Sequence, residues 1–218
     1  MMPSMVPLAT AMLLLASGIQ AHFTLQHPAV AGAFDDDKEP ESPCGGYLPH
    51  ISSVPLTDFH VDGDIIATTL THPQGNWLYR ITTDPEAKGN WSQIYPIFQQ
   101  SGIGTYCSPH VTVDRALIGQ KAFLGIVSSA VDGLLYQCAG VNLIEGTGTA
   151  PSDCQNGSGV STSYTADSAL TSQLGNPNIT TGETAASGGI LSKGGAFQGL
   201  SAMVTVGVMV VLGAALMV

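Results

Sequence analysis

The chain has 218 residues, 10% of them charged, and its 16 acidic residues against 6 basic ones give a formal net charge of -10. A length of this order holds one domain with additional segments. So acidic a chain has too little positive charge to neutralise a run of phosphates, which excludes nucleic acid, and it offers no basic patch for anionic lipid.

The first segment, "MVPLATAMLLLASGIQA", has the length and apolar centre of a secretory leader. Ala21 is a small residue suited to the position before the cut, and Ile19 fits two places earlier. No Lys or Arg precedes the apolar run, so the positive end of the leader is the amine alone. Cleavage after Ala21 makes His22 the first residue of the mature chain. Cleavage after Ser17 or Gly18 instead leaves His22 internal.

Residues 31–46, "AGAFDDDKEPESPCGG", read as an exposed acidic loop tied down by Cys44, with Asp35, Asp36 and Asp37 as a solvated charge run. Beyond them come β-branched and aromatic runs at 64–72, 76–83, 93–100, 110–114, 121–130 and 134–145, separated by Gly, Pro, Asn and Asp. "GNWLYRI" and "LLYQCAGVNLI" partly alternate, as half-buried strands do. Short strands at this spacing predict an all-β antiparallel sandwich, in one domain over residues 22–154. Trp77 and Trp91 are expected in its core or at its rim.

From 155 to 187 the chain is Ser, Thr, Gly, Ala and Asn, which predicts a flexible stalk. The last segment, "GLSAMVTVGVMVVLGAALMV", is uncharged and long enough to span a bilayer. A polar spacer and the small residues "AASGG" precede it. That is the layout of a glycolipid-anchor signal, with Ser187 or Gly188 as attachment residue and 188–218 removed. The alternative is a true C-terminal transmembrane helix.

Four cysteines, Cys44, Cys107, Cys138 and Cys154, read as two disulfides in a secreted chain, and three pairings are open. The expected pairing joins Cys107 to Cys138 across two strand ends and Cys44 to Cys154 at the exit of the domain. The sequons at Asn90, Asn156 and Asn178 fit a glycosylated surface.

The six histidines are His22, His27, His50, His60, His72 and His110, and no HExxH, GxSxG or Walker-type motif occurs. His22 differs from the others once it is residue one. Its α-amine, ordinarily titrating near pH 8, and its ring Nδ1 can close a chelate on one ion. A second histidine from a loop completes three nitrogens, a donor set suited to Cu(II). A backbone amine is available in this way only at residue one, so the leader cut would create the site.

A leader, then His as residue one, then a compact β domain carrying "LLYQCAGVNLIE", resembles the histidine-brace copper site of lytic polysaccharide monooxygenases. The "HF" start, "THPQGNW", "DGLLYQCA", the stalk and the anchor signal resemble more closely a fungal offshoot: small, glycolipid-anchored, monooxygenase-like copper proteins of the copper-acquisition type. The resemblance covers 22 to about 150. It implies an immunoglobulin- or fibronectin-III-like sandwich and one Cu(II) per domain. It also implies a brace made by His22 (amine and ring) and His72, and an axial carboxylate that matches Asp132. His60, in "DFHVDGD", is the rival second ligand, and Tyr136 is the alternative axial residue.

The function so implied is Cu(II) binding at the cell surface for copper acquisition or homeostasis by a non-catalytic, monomeric protein. A membrane reductase or copper transporter is the expected recipient. An enzyme that cleaves wall glycans oxidatively, and a structural wall glycoprotein with an incidental histidine, are the two other readings.

Overall fold

The computed structural model describes residues 22–175; the leader, Asn178, Ser187 and the C-terminal apolar segment lie outside the described residues. Ten strands run β1 (Phe23–His27), β2 (Leu56–His60), β3 (Asp64–Leu70), β4 (Gln74–Thr82), β5 (Ser92–Gln93), β6 (Phe98–Ser101), β7 (Gly104–Val111), β8 (Lys121–Ala130), β9 (Gly133–Ile144) and β10 (Ser161–Tyr164), followed by one helical turn, α1 (Ser168–Thr171). They form a three-stranded sheet, β1-β3-β7, and a seven-stranded sheet, β10-β6-β4-β8-β9-β2 with β5 added on β4. The fold is the all-β sandwich expected, antiparallel except that β2 lies parallel to β9.

Period-two alternation explains the sandwich. In β8, Ala122, Leu124 and Ile126 enter the main core between the sheets. The intervening Phe123 and Val127 enter two smaller clusters on the other face. β9 does the same: Leu135, Ala139, Val141 and Leu143 face in, while Tyr136 and Cys138 face out. Phe23, Leu25, Ile66, Leu70 and Tyr106 answer from the smaller sheet. Trp77 is fully buried in this core. The long sheet is therefore apolar on both faces, and its outer face needs a cover.

Two segments supply that cover: the first keeps its acidic run exposed and is tied down by Cys44 as expected, and the second corrects the sequence reading. The 31–46 segment folds back onto β9, with Ala31 N bonding Cys138 O at 2.7 Å and Cys44 buried against Phe123. The domain also does not end at 154. β10 pairs with β6 over Ser161–Tyr164, and Leu170 of α1 is fully buried against Leu78 and Val127. So the first part of the expected stalk belongs to the fold.

The disulfides are Cys44–Cys138 and Cys107–Cys154, with Cα separations of 5.1 and 5.6 Å. The expected Cys107–Cys138 and Cys44–Cys154 pairing is overturned. Cys138 points to the outer face of the long sheet, whereas Cys107 lies on β7 in the other sheet. Stacked sheets stand about 10 Å apart, too far for a bridge that needs Cα atoms roughly 6 Å apart. Two strand expectations also change. The run at 93–100 divides into β5 and β6, and of the strand expected at 110–114 only His110 and Val111 are strand, as the end of the longer β7.

Candidate metal centre

Three strand ends meet at one edge of the sandwich. Phe23 at the start of β1 pairs with Leu70 at the end of β3, so the ladder delivers His22 opposite Thr71. Thr71 then holds it. The His22 carbonyl accepts from Thr71 N at 3.2 Å and from Thr71 Oγ1 at 2.6 Å, and His22 N donates to Thr71 Oγ1 at 3.0 Å. His72 is the next residue, in the short turn between β3 and β4. β4 pairs antiparallel with β8, Asn76 facing Ser129, which sets that turn beside the β8–β9 turn. The latter is a two-residue hairpin, Val131-Asp132, closed by the Ala130–Gly133 pair with Gly133 at φ 113°.

His72 is 6% exposed, and its Nε2 lies 2.9 Å from Asp132 Oδ1. The His22 ring tilts against Phe34, centroids 5.8 Å apart, and its Nε2 is 3.7 Å from Asp36 Oδ2. Its Nδ1 is buried with no hydrogen-bond partner among the described residues. A buried imidazole nitrogen without a partner carries a free-energy cost that an ion would remove. The residues fit copper in this respect: two imidazoles and one hard carboxylate, with a third nitrogen available if His22 is residue one. Among the described residues, no three His, Cys, Asp or Glu side chains are already gathered closely enough to hold an ion. A site here needs the amine as a donor, or the His72–Asp132 pair to open.

The rival histidine is elsewhere. His60 Nδ1 bonds Asp64 Oδ2 at 2.8 Å, and Asp64 opens β3 while Leu70 ends it. Seven strand residues put about 20 Å between the two ends. His27 closes β1 opposite Ala67, halfway along β3 and four residues on from Phe23. Tyr136, the alternative axial residue, turns the other way: its hydroxyl donates to Gln173 Oε1 at 3.0 Å, and its ring packs with Leu78 and Val127 on the outer face.

Three residues that position the centre were not singled out from the sequence. Thr71 is one. Gln137 projects from β9 opposite to Tyr136 and grips β1 by both ends of its amide. Oε1 accepts from Leu25 N at 2.9 Å, and Nε2 donates to Phe23 O at 2.5 Å. Glu39, 1% exposed, accepts from Gln137 Nε2 at 2.9 Å and from Phe23 N at 3.3 Å through Oε1, while Oε2 has no partner among the described residues. Burial pushes the Glu39 carboxyl up to about 7, against the lowering effect of the Gln137 and Phe23 hydrogen bonds; nearby Asp36 and Asp132 add to the rise. In the sequence Glu39 is hidden at the end of the acidic run "DDDKE"; only its place just before Pro40 set it apart.

The structure is an all-β sandwich with His22 strapped to one sheet edge and the His72–Asp132 pair at the adjoining turns, and comparison with known proteins supplies its class. A copper acquisition factor BIM1-like family model matches residues 20–159, and the chain belongs to that family. Two curated proteins are similar to the chain. An uncharacterised protein of Aspergillus fumigatus is 29% identical over 160 residues, covering 69% of this chain and 65% of that protein. The lytic polysaccharide monooxygenase-like protein X325 of Yarrowia lipolytica is 27% identical over 168 residues, covering 70% of this chain and 60% of its own. The match thus spans less than two thirds of either relative's length.

Proposed function

We propose that the exported chain begins at His22 and binds one Cu(II) at the cell surface for copper acquisition, without cleaving polysaccharide. The observation that supports this reading is the paired hydrogen bonding of His22 with Thr71, the residue before His72. The His22 amine and Nδ1 would supply two nitrogens and the His72 ring a third. A coordinated amine keeps two hydrogens, so its bond to Thr71 Oγ1 can persist. Asp132 would leave His72 and add a negative charge, which favours Cu(II) over Cu(I). Each donor atom must offer a lone pair that acid would protonate, so uptake releases protons and weakens in acid. Attachment at Ser187 would keep the domain on the outer membrane face, where a reductase or transporter could take the metal.

The polysaccharide-cleaving reading has less support. Among the described residues the exposed aromatics are Phe34 and Tyr164, and Tyr164 lies on β10 at the far edge of the long sheet. A flat glycan face with several aromatic rings is not offered. The test supplies copper-loaded protein with wall glycans, a reductant and peroxide, alongside a competing chelator assay. Tight Cu(II) binding with no soluble oxidised sugars is expected. Oxidised oligosaccharides would move the assignment to the enzyme.

A further inference from the structure

We infer that Asn90 carries an N-linked glycan whose first sugars lie in the cleft beside it and act as part of the fold. This rests on the reading that the chain is exported. Asn90 opens the sequon Asn90-Trp91-Ser92, and both Asn90 and Ser92 are exposed. The segment that presents it is rigid. Asp84 caps the preceding loop by accepting from the amides of Glu86, Lys88 and Gly89, at 3.1, 3.0 and 3.1 Å. Thr82 Oγ1 donates to Gly89 O at 2.6 Å. On the other side Trp91 is pinned by two backbone bonds with Gly175, of 3.2 and 2.8 Å. Between these anchors Asn90 sits at φ 56°, a left-handed conformation that asparagine tolerates better than most residues.

Asn90 is itself on the wall of a cleft of about 650 Å³ between the β4–β5 end of the long sheet and the chain after β7. That volume is in the range that holds a small-molecule-sized guest. Its apolar lining includes Ile94, Val113 and Leu117, and Gln93, Thr112 and Asp114 add polar groups. Ile94 and Leu117 pack on the core yet stay half-buried. A sugar ring has the matching character, an apolar C–H face and a hydroxyl edge, and here it would be tethered at the rim. Asn156 contrasts with Asn90, because its Oδ1 already accepts from Cys107 N at 2.9 Å beside a disulfide.

In the transfer, Asn90 Nδ2 bonds the anomeric carbon of a lipid diphosphate-linked oligosaccharide. The C1–O bond to the diphosphate breaks, the diphosphate leaves with the electron pair, and the amide proton passes to a base of the transferase. The folded chain then seats the sugars over Leu117 and Ile94.

The test uses the full chain secreted from a yeast host, read by glycopeptide mass spectrometry, thermal melting and hydrogen–deuterium exchange. Asn90 should be occupied. Ser92→Ala, which removes the sequon and keeps Asn90, should lower Tm by about 2–4 °C and speed exchange over Thr112–Leu117. Ser158→Ala, which removes the Asn156 sequon, should leave that segment unchanged. Wild type and Ser92→Ala made in a host without glycosylation should match each other. Sugar at Asn156 or Asn178 with none at Asn90 overturns the proposal. So does an occupied Asn90 whose loss changes neither Tm nor exchange. A product with no sugar at any sequon removes the export reading and this proposal together.

Discussion

His72 and His60 are both histidines near the end of a β-run, and only their place on β3 separates them. His72→Ala is expected to weaken Cu(II) binding at least ~10-fold, and His60→Ala to leave it unchanged, in a competitive chelator titration. Full affinity in His72→Ala would remove the brace from this edge. Glu39 gives a second expectation, for metal-free protein. Its carboxyl titrates near 7 in the fold against an ordinary 4.5, so the folded chain holds the proton more tightly than the unfolded one. The stability that this contributes is complete below about 4.5 and is lost as pH rises through 7. Thermal melts from pH 4 to 8 should therefore show a fall that Glu39→Gln removes, on the order of 2 kcal/mol after allowance for solvent screening. Equal pH slopes in the two proteins would contradict the buried carboxyl.

At the level of elements, the sequence was legible where burial is one-sided or complete over a long run. β8 was anticipated residue for residue at 121–130, and β9 within one residue, because their β-branched and aromatic content is dense. β1, β2 and β10 were not anticipated. Each is short, and β10, "STSY", is exposed at all four positions and exists because β6 offers an open edge. The same polar composition made 155–187 look like a stalk throughout. Leu170 contradicts that look most clearly, with Val160 and Leu174 partly buried beside the core, and its role appears only when the outer face of β4 and β8 is known to need a cover. Arg80 depends on the same segment. It is 2% exposed, its guanidinium lies 4.1 Å from the centre of the Trp91 ring, and its Nη1 donates to Gln173 O at 2.5 Å. Leu170→Ala should thus cost about 2–5 kcal/mol in chemical denaturation. A chain ended at Gly159 should lose more, since Arg80 also loses its carbonyl. A loss below about 0.5 kcal/mol for Leu170→Ala would return the segment to the stalk.

Across the whole molecule, the two disulfides divide the work between site and scaffold. Cys44–Cys138 holds the 31–46 segment, which carries Asp36 and Glu39, against β9. Cys107–Cys154 ties β7 to the segment between β9 and β10. Replacing either pair by serine should lower stability by about 2–5 kcal/mol, read by thermal melting. Only loss of the first should also weaken copper binding, because only that loop borders His22. Of the candidate site, His22 stood out by its place just after the leader, and His72 and Asp132 by the resemblance; the fold brings His72 and Asp132 together and sets His22 opposite Thr71, and their role as ligands is the proposal. Thr71, Gln137 and Glu39 did not stand out, because their role is to bond the β1 backbone and side chain–backbone partners leave no spacing pattern.

The central claim is that the amine of residue 22 is a copper donor, and it is tested most directly by Cu(II) titration with EPR on two proteins. One begins at His22 and the other keeps Ala21 ahead of it. The account predicts tight stoichiometric binding with a nitrogen-rich tetragonal spectrum for the first, and weak binding with an altered spectrum for the second. Equal affinity and superimposable spectra would contradict it.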